Sequence, residues 1–450
     1  MHFRLLYHYI RAVHSMYYRH IDIEGKENIP GKDEAVIIAA NHQNAINDPL
    51  ALEFAFPNRT INLFAHGNLF KSKIINWFLR SIHVIPAYRM RTDGEESLCK
   101  NYDEFSKVSE LLFKGEWAGI FPEATNMTGH WLGEFSLGYM RMAFSAAETA
   151  GFEKEIKILP VSIHYDNYHR FRHNILIRIS PAVSLSQFYE LYKTKPRTAQ
   201  RNANALVRES IERNMLNVKD LENYEAIDYL RETYGIKYCA SKGDYFKILS
   251  QKLDTDQEFV KGLEEASGKE KMDGIYSKAL ELKRLTRDAG IRDWVLTNTM
   301  SKGWIAFYGI LYAIFLWPFL MFGWQNIIAY IAPIPFYRKL DRIGGPFVMF
   351  KGGVNIVLNA LVVIPLIHLV PFIVMLCLAA CTKDYLMATA WFLAQPALLV
   401  LGWEYYNNVR KLISLIRYRR LSSTATMTGI LALRTKLWRE LDNLFSKNCK

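Results

Sequence analysis

"AVIIAANHQNAINDPL" (Ala35–Leu50) decides how this chain is read. Its first six residues are an apolar run of strand length, and Pro49 with the following "LALEFAF" reads as the opening of a helix. Asp48, directly before Pro49, suits a helix N-cap. The loop between strand and helix holds His42 and, six positions later, Asp48. A neutral imidazole takes a proton from a hydroxyl, and a carboxylate on its other nitrogen fixes the tautomer and steadies the imidazolium. The pair lacks a protein nucleophile, so the attacking hydroxyl is assigned to a substrate. The plain alternative is a hydrogen-bonded loop with Asp48 as a cap alone.

Outward from this loop, strands and helices alternate. "TINLFAH" (Thr60–His66), "HVIPAYR" (His83–Arg89), "WAGIFPE" (Trp117–Glu123), "IKILPVSIHY" (Ile156–Tyr165) and "NILIRISPAV" (Asn174–Val183) read as strands. "KIINWFLRSI", "SLCKNYDEFSKVSELLFKG" and "GYMRMAFSAAETAG" have helical spacing. The pattern predicts an α/β domain over 31–190, a mostly parallel sheet flanked by helices. Such domains place their sites outside the carboxyl ends of strands, where His42 falls. Residues 1–30 are apolar but interrupted by Arg4, His8, Arg11 and Arg19, which argues against a signal peptide. They read as an amphipathic helix suited to a membrane surface or to packing on its own domain. Residues 191–300 are charged and helical in pattern, an extension of the soluble domain.

After Met300 the character changes. Residues 303–337 carry no charged side chain over 35 positions, 352–382 none over 31 and 385–403 none over 19. A span needs about 20 apolar residues, so 301–450 reads as a membrane domain. The link Arg338–Lys351 and the tail from Asn407 are rich in Lys and Arg, which places both on the cytoplasmic side. Segments 352–382 and 385–403 then form a two-span hairpin. If the soluble domain is also cytoplasmic, 303–337 must enter and leave on one side. That predicts a re-entrant or interfacial hairpin broken near Pro318, Gly323 or Pro333, with a third span as the rival.

Half of the 450 residues are hydrophobic and 14% aromatic, which excludes a disordered chain. The net charge of +12 calls for an anionic partner, and the apolar segments favour a membrane surface or phosphorylated substrate over nucleic acid. Five scattered cysteines argue against a disulfide framework or a zinc site.

"NHQNAINDP" resembles the histidine–aspartate motif of the glycerolipid acyltransferase superfamily, the glycerol-3-phosphate and lysophosphatidate acyltransferases. The usual motif has four residues between His and Asp. This chain has five, as in a subgroup that includes fungal glycerol-3-phosphate acyltransferases and carries a carboxy-terminal membrane region. "GNLFKSKIINWFLRSIHVIPAYRMRTDG" is similar to the second family block and puts Arg89 at its phosphate-binding arginine, with Lys71 and Arg91 as helpers. An arginine fork suits phosphate because it forms two parallel bonds. "IFPEATN" resembles the third block, matching Glu123 and Thr125; Ala124 replaces a usual glycine, and Asn126 stands where arginine is frequent. Arg141 in "GYMRMAFSAAE" and Pro160 in "ILPVSIHY" fall in later blocks, Pro160 near the acyl-donor side.

The resemblance implies transfer of a fatty acyl group from a thioester, acyl-CoA or acyl carrier protein, to a glycerol-phosphate or lysophospholipid acceptor in phospholipid biosynthesis. His42 is then the base and Asp48 its orienter. Arg89, Lys71, Glu123, Thr125 and Arg141 bind substrate, with no metal and no resident cofactor. Membrane lipids are the expected partners, and the cytoplasmic face the expected place. One alternative is a non-catalytic lipid-binding membrane protein with a degenerate acyltransferase domain. Another, a metal-dependent hydrolase using His42, Asp48 and His164, lacks a tight metal-ligand spacing.

Overall fold

The structure is a computed structural model that describes residues 2–71, 73–81, 83–87, 107–266, 268–298, 300–383 and 385–447. Two compact units are distinguished. One comprises 1–217 with 337–354; the other comprises 218–336 with 355–450.

The first unit is built on an eight-stranded sheet. Its strands are β1 (Tyr18–Glu24), β2 (Ala35–Ala40), β3 (Ile61–His66), β4 (Val84–Ala87), β5 (Trp117–Ile120), β6 (Ile156–Tyr165), β7 (His173–Ile179) and β8 (Val183–Ser184). Their order is β1-β7-β6-β2-β5-β3-β4, with β8 on β6. The pairs β1/β7, β6/β2, β2/β5, β5/β3 and β3/β4 are parallel, and β6/β7 and β6/β8 antiparallel. All six residues of β2 are buried, as a central strand covered on both faces requires. Because β2, β5 and β3 run one way, the loops after them, which carry His42, Glu123 and Lys71, leave the same edge of the sheet.

Two boundaries differ from the sequence reading. Residues 1–30 are not one helix: His2–Tyr17 is helical and Tyr18–Glu24 is strand β1. "YRHIDIE" alternates exposed Arg19, His20, Asp22 and Glu24 with half-buried Ile21 and Ile23, the pattern of a charged edge strand. The helix before it packs inward through His14, whose ring lies 5.0 Å from that of Phe54. The sheet unit also runs past 190, to Asn217. Helix Pro196–Arg213 looks charged, but Ala199, Ala203, Val207 and Ile211 form a stripe at four-residue spacing. That stripe joins Met140, Ala143 and Ala147 of helix Gly138–Thr149, and Ile37, Ala39 and Ile158 of the sheet, in one core.

The second unit is helical. Helices Tyr224–Ser241, Leu249–Glu264 and Lys269–Asp288 associate with Ala425–Lys447. The basic tail is therefore not free. Arg434 makes two bonds to Asp293, 2.7 and 3.0 Å, and Lys278 reaches Glu440 at 2.6 Å, while Leu437 and Leu441 are fully buried.

Among the described residues, three helices are long and apolar enough to cross a membrane: Lys302–Phe322, Gly345–Cys381 and Tyr385–Leu421. Lys302–Phe322 runs antiparallel to Tyr385–Leu421. The Tyr405 hydroxyl donates to the Tyr312 carbonyl (3.0 Å), a Cβ on Gly402 would meet Phe319, and Gln325 Nε2 donates to Gln395 Oε1 (2.6 Å). The chain breaks at Gly323, resumes as helix Asn326–Ile331, and turns back along the same partner, since the Tyr330 hydroxyl donates to the Leu399 carbonyl. The apex thus lies level with Gln395, ten residues from the Tyr385 end of the partner helix. At 1.5 Å per residue that is about 15 Å, half a bilayer core. Four buried amide or imidazole side chains meet at the apex: Gln325, Asn326 and Gln395, with His368 Nε2 at 2.8 Å from Asn326 Oδ1.

Candidate active site

The site begins where β2 ends. Asn41 is buried and clasps β6 with both ends of its amide: Nδ2 donates to the Ile163 carbonyl (2.9 Å) and Oδ1 accepts from the Ile163 N–H (2.7 Å). The chain then turns over the sheet edge, and His42 is fixed at three points. Its N–H donates to Glu123 Oε1 (2.7 Å), its carbonyl accepts from the Met127 N–H (2.9 Å), and its ring stacks on Phe121 with centroids 4.3 Å apart.

The His42 ring meets Asp48 with Nδ1 2.9 Å from Oδ2. Asp48 is fully buried, and its carboxylate accepts three further bonds. The Gln43 and Asn44 N–H groups donate to Oδ2 at 2.8 and 2.7 Å, and the Tyr165 hydroxyl donates to Oδ1 at 2.7 Å. Burial and the neighbouring Asp48 charge push the Tyr165 phenol well above its ordinary range, so it stays a donor. A carboxylate so supplied is acceptor-only, which assigns the proton of His42 to Nδ1 and leaves Nε2 with its lone pair. Nε2 makes no hydrogen bond among the described residues, and the side chain keeps 18% of its surface exposed.

Asp48 is not the expected cap. The helix spans Asn47–Ala55 with Ile46 at its cap, and the Asp48 carboxylate turns back to the loop amides instead of the helix. The fifth intervening residue is absorbed at Ala45, which adopts φ 43° and donates its N–H to Asn126 Oδ1 (3.1 Å).

Glu123 is buried, and both its oxygens are taken by backbone: Oε1 by the His42 N–H and Oε2 by the Gly133 N–H, each at 2.7 Å. Burial raises its carboxyl to about 7; the two amides oppose that, the Asp48 charge adds to it and Arg208 offsets it. Glu123 thus reaches the site through the His42 backbone. Ala124 takes φ 59°, the left-handed conformation for which glycine is usual. Arg208, in the stretch read as an extension, bonds the Gly133 carbonyl and lies over Phe135, supporting the same loop.

Lys71, Thr125 and Arg141 are exposed and make no side-chain bond to His42, Asp48 or Glu123. Lys71 ends a short turn after β3, on the His42 edge of the sheet. Arg89 and Arg91 lie outside the described residues, two and four positions beyond β4. His164 is buried on β6 with its ring 5.5 Å from that of His130. Among the described residues no three His, Cys, Asp or Glu side chains converge in a way that could hold a metal ion.

Residues 20–164 match the family model described as Acyltransferase. Over this segment the chain is similar to the glycerolipid acyltransferase superfamily. The chain is 27% identical over 143 residues to a chloroplastic 1-acyl-sn-glycerol-3-phosphate acyltransferase of Arabidopsis thaliana, covering 32% of this chain and 35% of that one. It is 31% identical over 105 residues to the 1-acyl-sn-glycerol-3-phosphate acyltransferase of Bacillus subtilis (strain 168), covering 23% and 48%. The chain therefore spans between about a third and a half of the length of the curated relatives it matches. Among solved structures it is similar to the 1-acyl-sn-glycerophosphate (LPA) acyltransferase PlsC of Thermotoga maritima, with a TM-score of 0.34, 19% identity, and 47% and 78% of the two chains covered.

Proposed function

We propose that this chain is a membrane-bound O-acyltransferase. It moves a fatty acyl group from an acyl thioester to a hydroxyl of a glycerol-phosphate or lysophospholipid acceptor, with His42 as general base. The observation that carries the reading is the 2.9 Å contact between His42 Nδ1 and buried Asp48, which leaves Nε2 unengaged. The acceptor hydroxyl gives its proton to Nε2 as its oxygen attacks the thioester carbonyl. The C–O bond forms, the C–S bond breaks, and the departing thiolate takes the proton from the imidazolium. Asp48 holds the ring throughout. Because thiolate is a good leaving group, the reaction calls for neither an acyl-enzyme nor a metal. The names of the relatives favour a lysophosphatidate acceptor. Arg89, with Lys71, Thr125 and Arg141 as further candidates, is proposed to seat the acceptor phosphate, and Glu123 to fix the His42 backbone.

A thiol-release assay on purified full-length protein in detergent tests this. The panel holds glycerol 3-phosphate, dihydroxyacetone phosphate and lysophospholipids against acyl-CoA and acyl carrier protein donors. His42→Ala is expected to lower kcat by about 10²–10⁴-fold with the circular-dichroism melt unchanged. A folded His42→Ala protein with full turnover ends the proposal, and substrate binding without thioester consumption favours the non-catalytic reading.

The catalytic unit and the basic link Arg338–Lys351 are proposed to face the cytoplasm, with 303–337 as a re-entrant or interfacial hairpin. The charge pattern supports the first part, and the return of the chain at Gly323–Gln325 supports the second. A cysteine at 325, with Cys377 and Cys381 replaced by serine, is expected to escape an impermeant thiol reagent added from the far side. Labelling from that side instead makes 302–322 a full span.

A further inference from the structure

The loop that delivers His42 and Asp48 has little of its own to hold it. Between the two residues its side-chain bond is Asn47 Nδ2 to Asn44 Oδ1, a long 3.2 Å, and Asn44 Nδ2 and Asn47 Oδ1 remain buried without a partner. Yet this loop supplies two of the four donors on Asp48, the Gln43 and Asn44 amides. Something else must set its path.

Contacts from distant sequence positions do. At its start, Gln43 Nε2 donates to the Trp131 carbonyl (3.2 Å) and Gln43 Oε1 accepts from the Tyr168 hydroxyl (3.0 Å). Two further contacts hold the middle of the loop, Asn44 to Asn47. On one side Asn126 Oδ1 accepts the N–H of Ala45, the loop residue with positive φ. On the other is the segment 337–354, which joins the hydrophobic stretches and belongs to the sheet unit. A Cβ on Gly352 would stand 2.6 Å from Asn47 Nδ2, 2.7 Å from the Tyr168 carbonyl oxygen and 3.0 Å from Asn44 Oδ1. A Cβ on Gly353 would stand 2.9 Å from Ile46 Cβ. Both glycines sit in helix Phe350–Leu358, and neither has positive φ. Two adjacent glycines inside a helix weaken it by about 1 kcal/mol each against alanine. Close approach to the loop, not backbone conformation, is therefore what calls for them.

We infer that Gly352 and Asn126 are positioning residues for the His42–Asp48 pair. They clamp the five-residue loop between them, so the segment joining the hydrophobic stretches is part of the catalytic apparatus and not a passive connection. The inference rests on the acyltransferase reading for its activity readout. It also explains two departures from the family pattern together: the extra loop residue is held by the asparagine that stands where arginine is frequent.

The test uses full-length protein in detergent. Gly352→Val and Asn126→Ala are expected to lower kcat roughly 10–100-fold with acceptor KM nearly unchanged, because the base is misplaced and the acceptor seat is not. Asn126→Asp keeps an acceptor for the Ala45 amide and is expected to recover most of the loss. Gly429→Ala, whose Cβ meets nothing within 4 Å, serves as the control. If Gly352→Val does not fold, Gly352→Ala and Asn126→Ala carry the comparison. A kcat per folded molecule within about twofold of the parent in Asn126→Ala and the Gly352 variant overturns the inference, as does a rise in KM alone. A parent that releases no thiol fails the acyltransferase reading instead. The clamp is then read from the rate and pH midpoint of His42 carbethoxylation by diethylpyrocarbonate: a shift in the variants sustains it, and identical profiles sink it.

Discussion

In the sheet unit, Asp48 is saturated with donors, yet the imidazole it holds keeps one nitrogen free. In the helical unit, Arg231 is enclosed by Asp228 Oδ1 (2.7 Å) and Asp256 Oδ2 (3.1 Å), while Lys252 occupies the other oxygen of Asp256. Both clusters bury a carboxylate: the first joins a loop to strand β6 across 117 positions, and the second joins two consecutive helices. They differ in closure. The charged cluster of the helical unit spends its donors and acceptors on its own neighbours, as a clamp between helices does. In the His42–Asp48 pair both carboxylate oxygens and Nδ1 are engaged, and the atom where a substrate proton would arrive is not. A buried polar cluster points to chemistry when one valence is left open, and to architecture when none is.

The largest expected effect tests the closed side. Arg231→Ala removes the cation from Asp228 and one of the two cations from Asp256, which is almost wholly buried and is left with Lys252 alone. Breaking such a cluster costs about 3–5 kcal/mol, so the chemical-denaturation midpoint of the helical unit should fall sharply. Turnover per folded molecule should not change. If it drops as far as in His42→Ala, the distinction between clamp and catalyst is wrong.

Glu123→Gln probes the open side from behind. The amide replaces one acceptor oxygen with a donor that faces either the His42 or the Gly133 N–H. An unsatisfied buried donor costs about 1–3 kcal/mol, and here it also lets the His42 backbone move. The variant should lose both stability and kcat, which separates it from Arg231→Ala. It should also change the pH dependence of stability. The Glu123 carboxyl is raised from its ordinary 4.5 to about 7, so its contribution is fully present below 4.5 and is lost as pH rises through about 7. Glutamine does not titrate, and urea midpoints measured from pH 4 to 8 should lose that slope.

Much of this was legible in the sequence because it is local or periodic. The apolar runs at Ala35–Ala40 and Ile156–Tyr165 announced buried strands, and His42, Asp48 and Glu123 stood in short recognisable segments. What was hidden is long-range. Tyr165 meets Asp48 across 117 positions, Asn41 clasps Ile163 across 122, and Gly352 touches a loop about three hundred positions earlier. No spacing rule reaches that far. Strand β1 was masked because it follows the first helix without a break and, as an edge strand, carries charges where a central strand carries valine or isoleucine. Helix Pro196–Arg213 was misplaced because alanine makes a faint stripe among arginines, although its four-residue spacing was there to be counted.

The smallest effect concerns backbone strain. Two helices of the second unit, Tyr224–Ser241 and Lys269–Asp288, are followed by glycines with positive φ, Gly243 and Gly290. The two motif loops of the sheet unit instead put alanine there, Ala45 at φ 43° and Ala124 at φ 59°. A left-handed alanine costs about 1–2 kcal/mol. Glycine at 124 removes that strain but gives back about 0.4–1 kcal/mol through the freer unfolded chain. Ala124→Gly should therefore stabilise the sheet unit by up to about 1.5 kcal/mol in equilibrium denaturation. The turn is already closed by the Ala124 N–H to the Phe121 carbonyl (3.1 Å), so Glu123 should keep both its amides and kcat should hold. A stabilised variant with unchanged turnover makes the alanine a tolerated strain. A stabilised variant that turns over more slowly makes it part of how the loop holds Glu123 against His42, and the open cluster would then depend on stored strain as well as on hydrogen bonds.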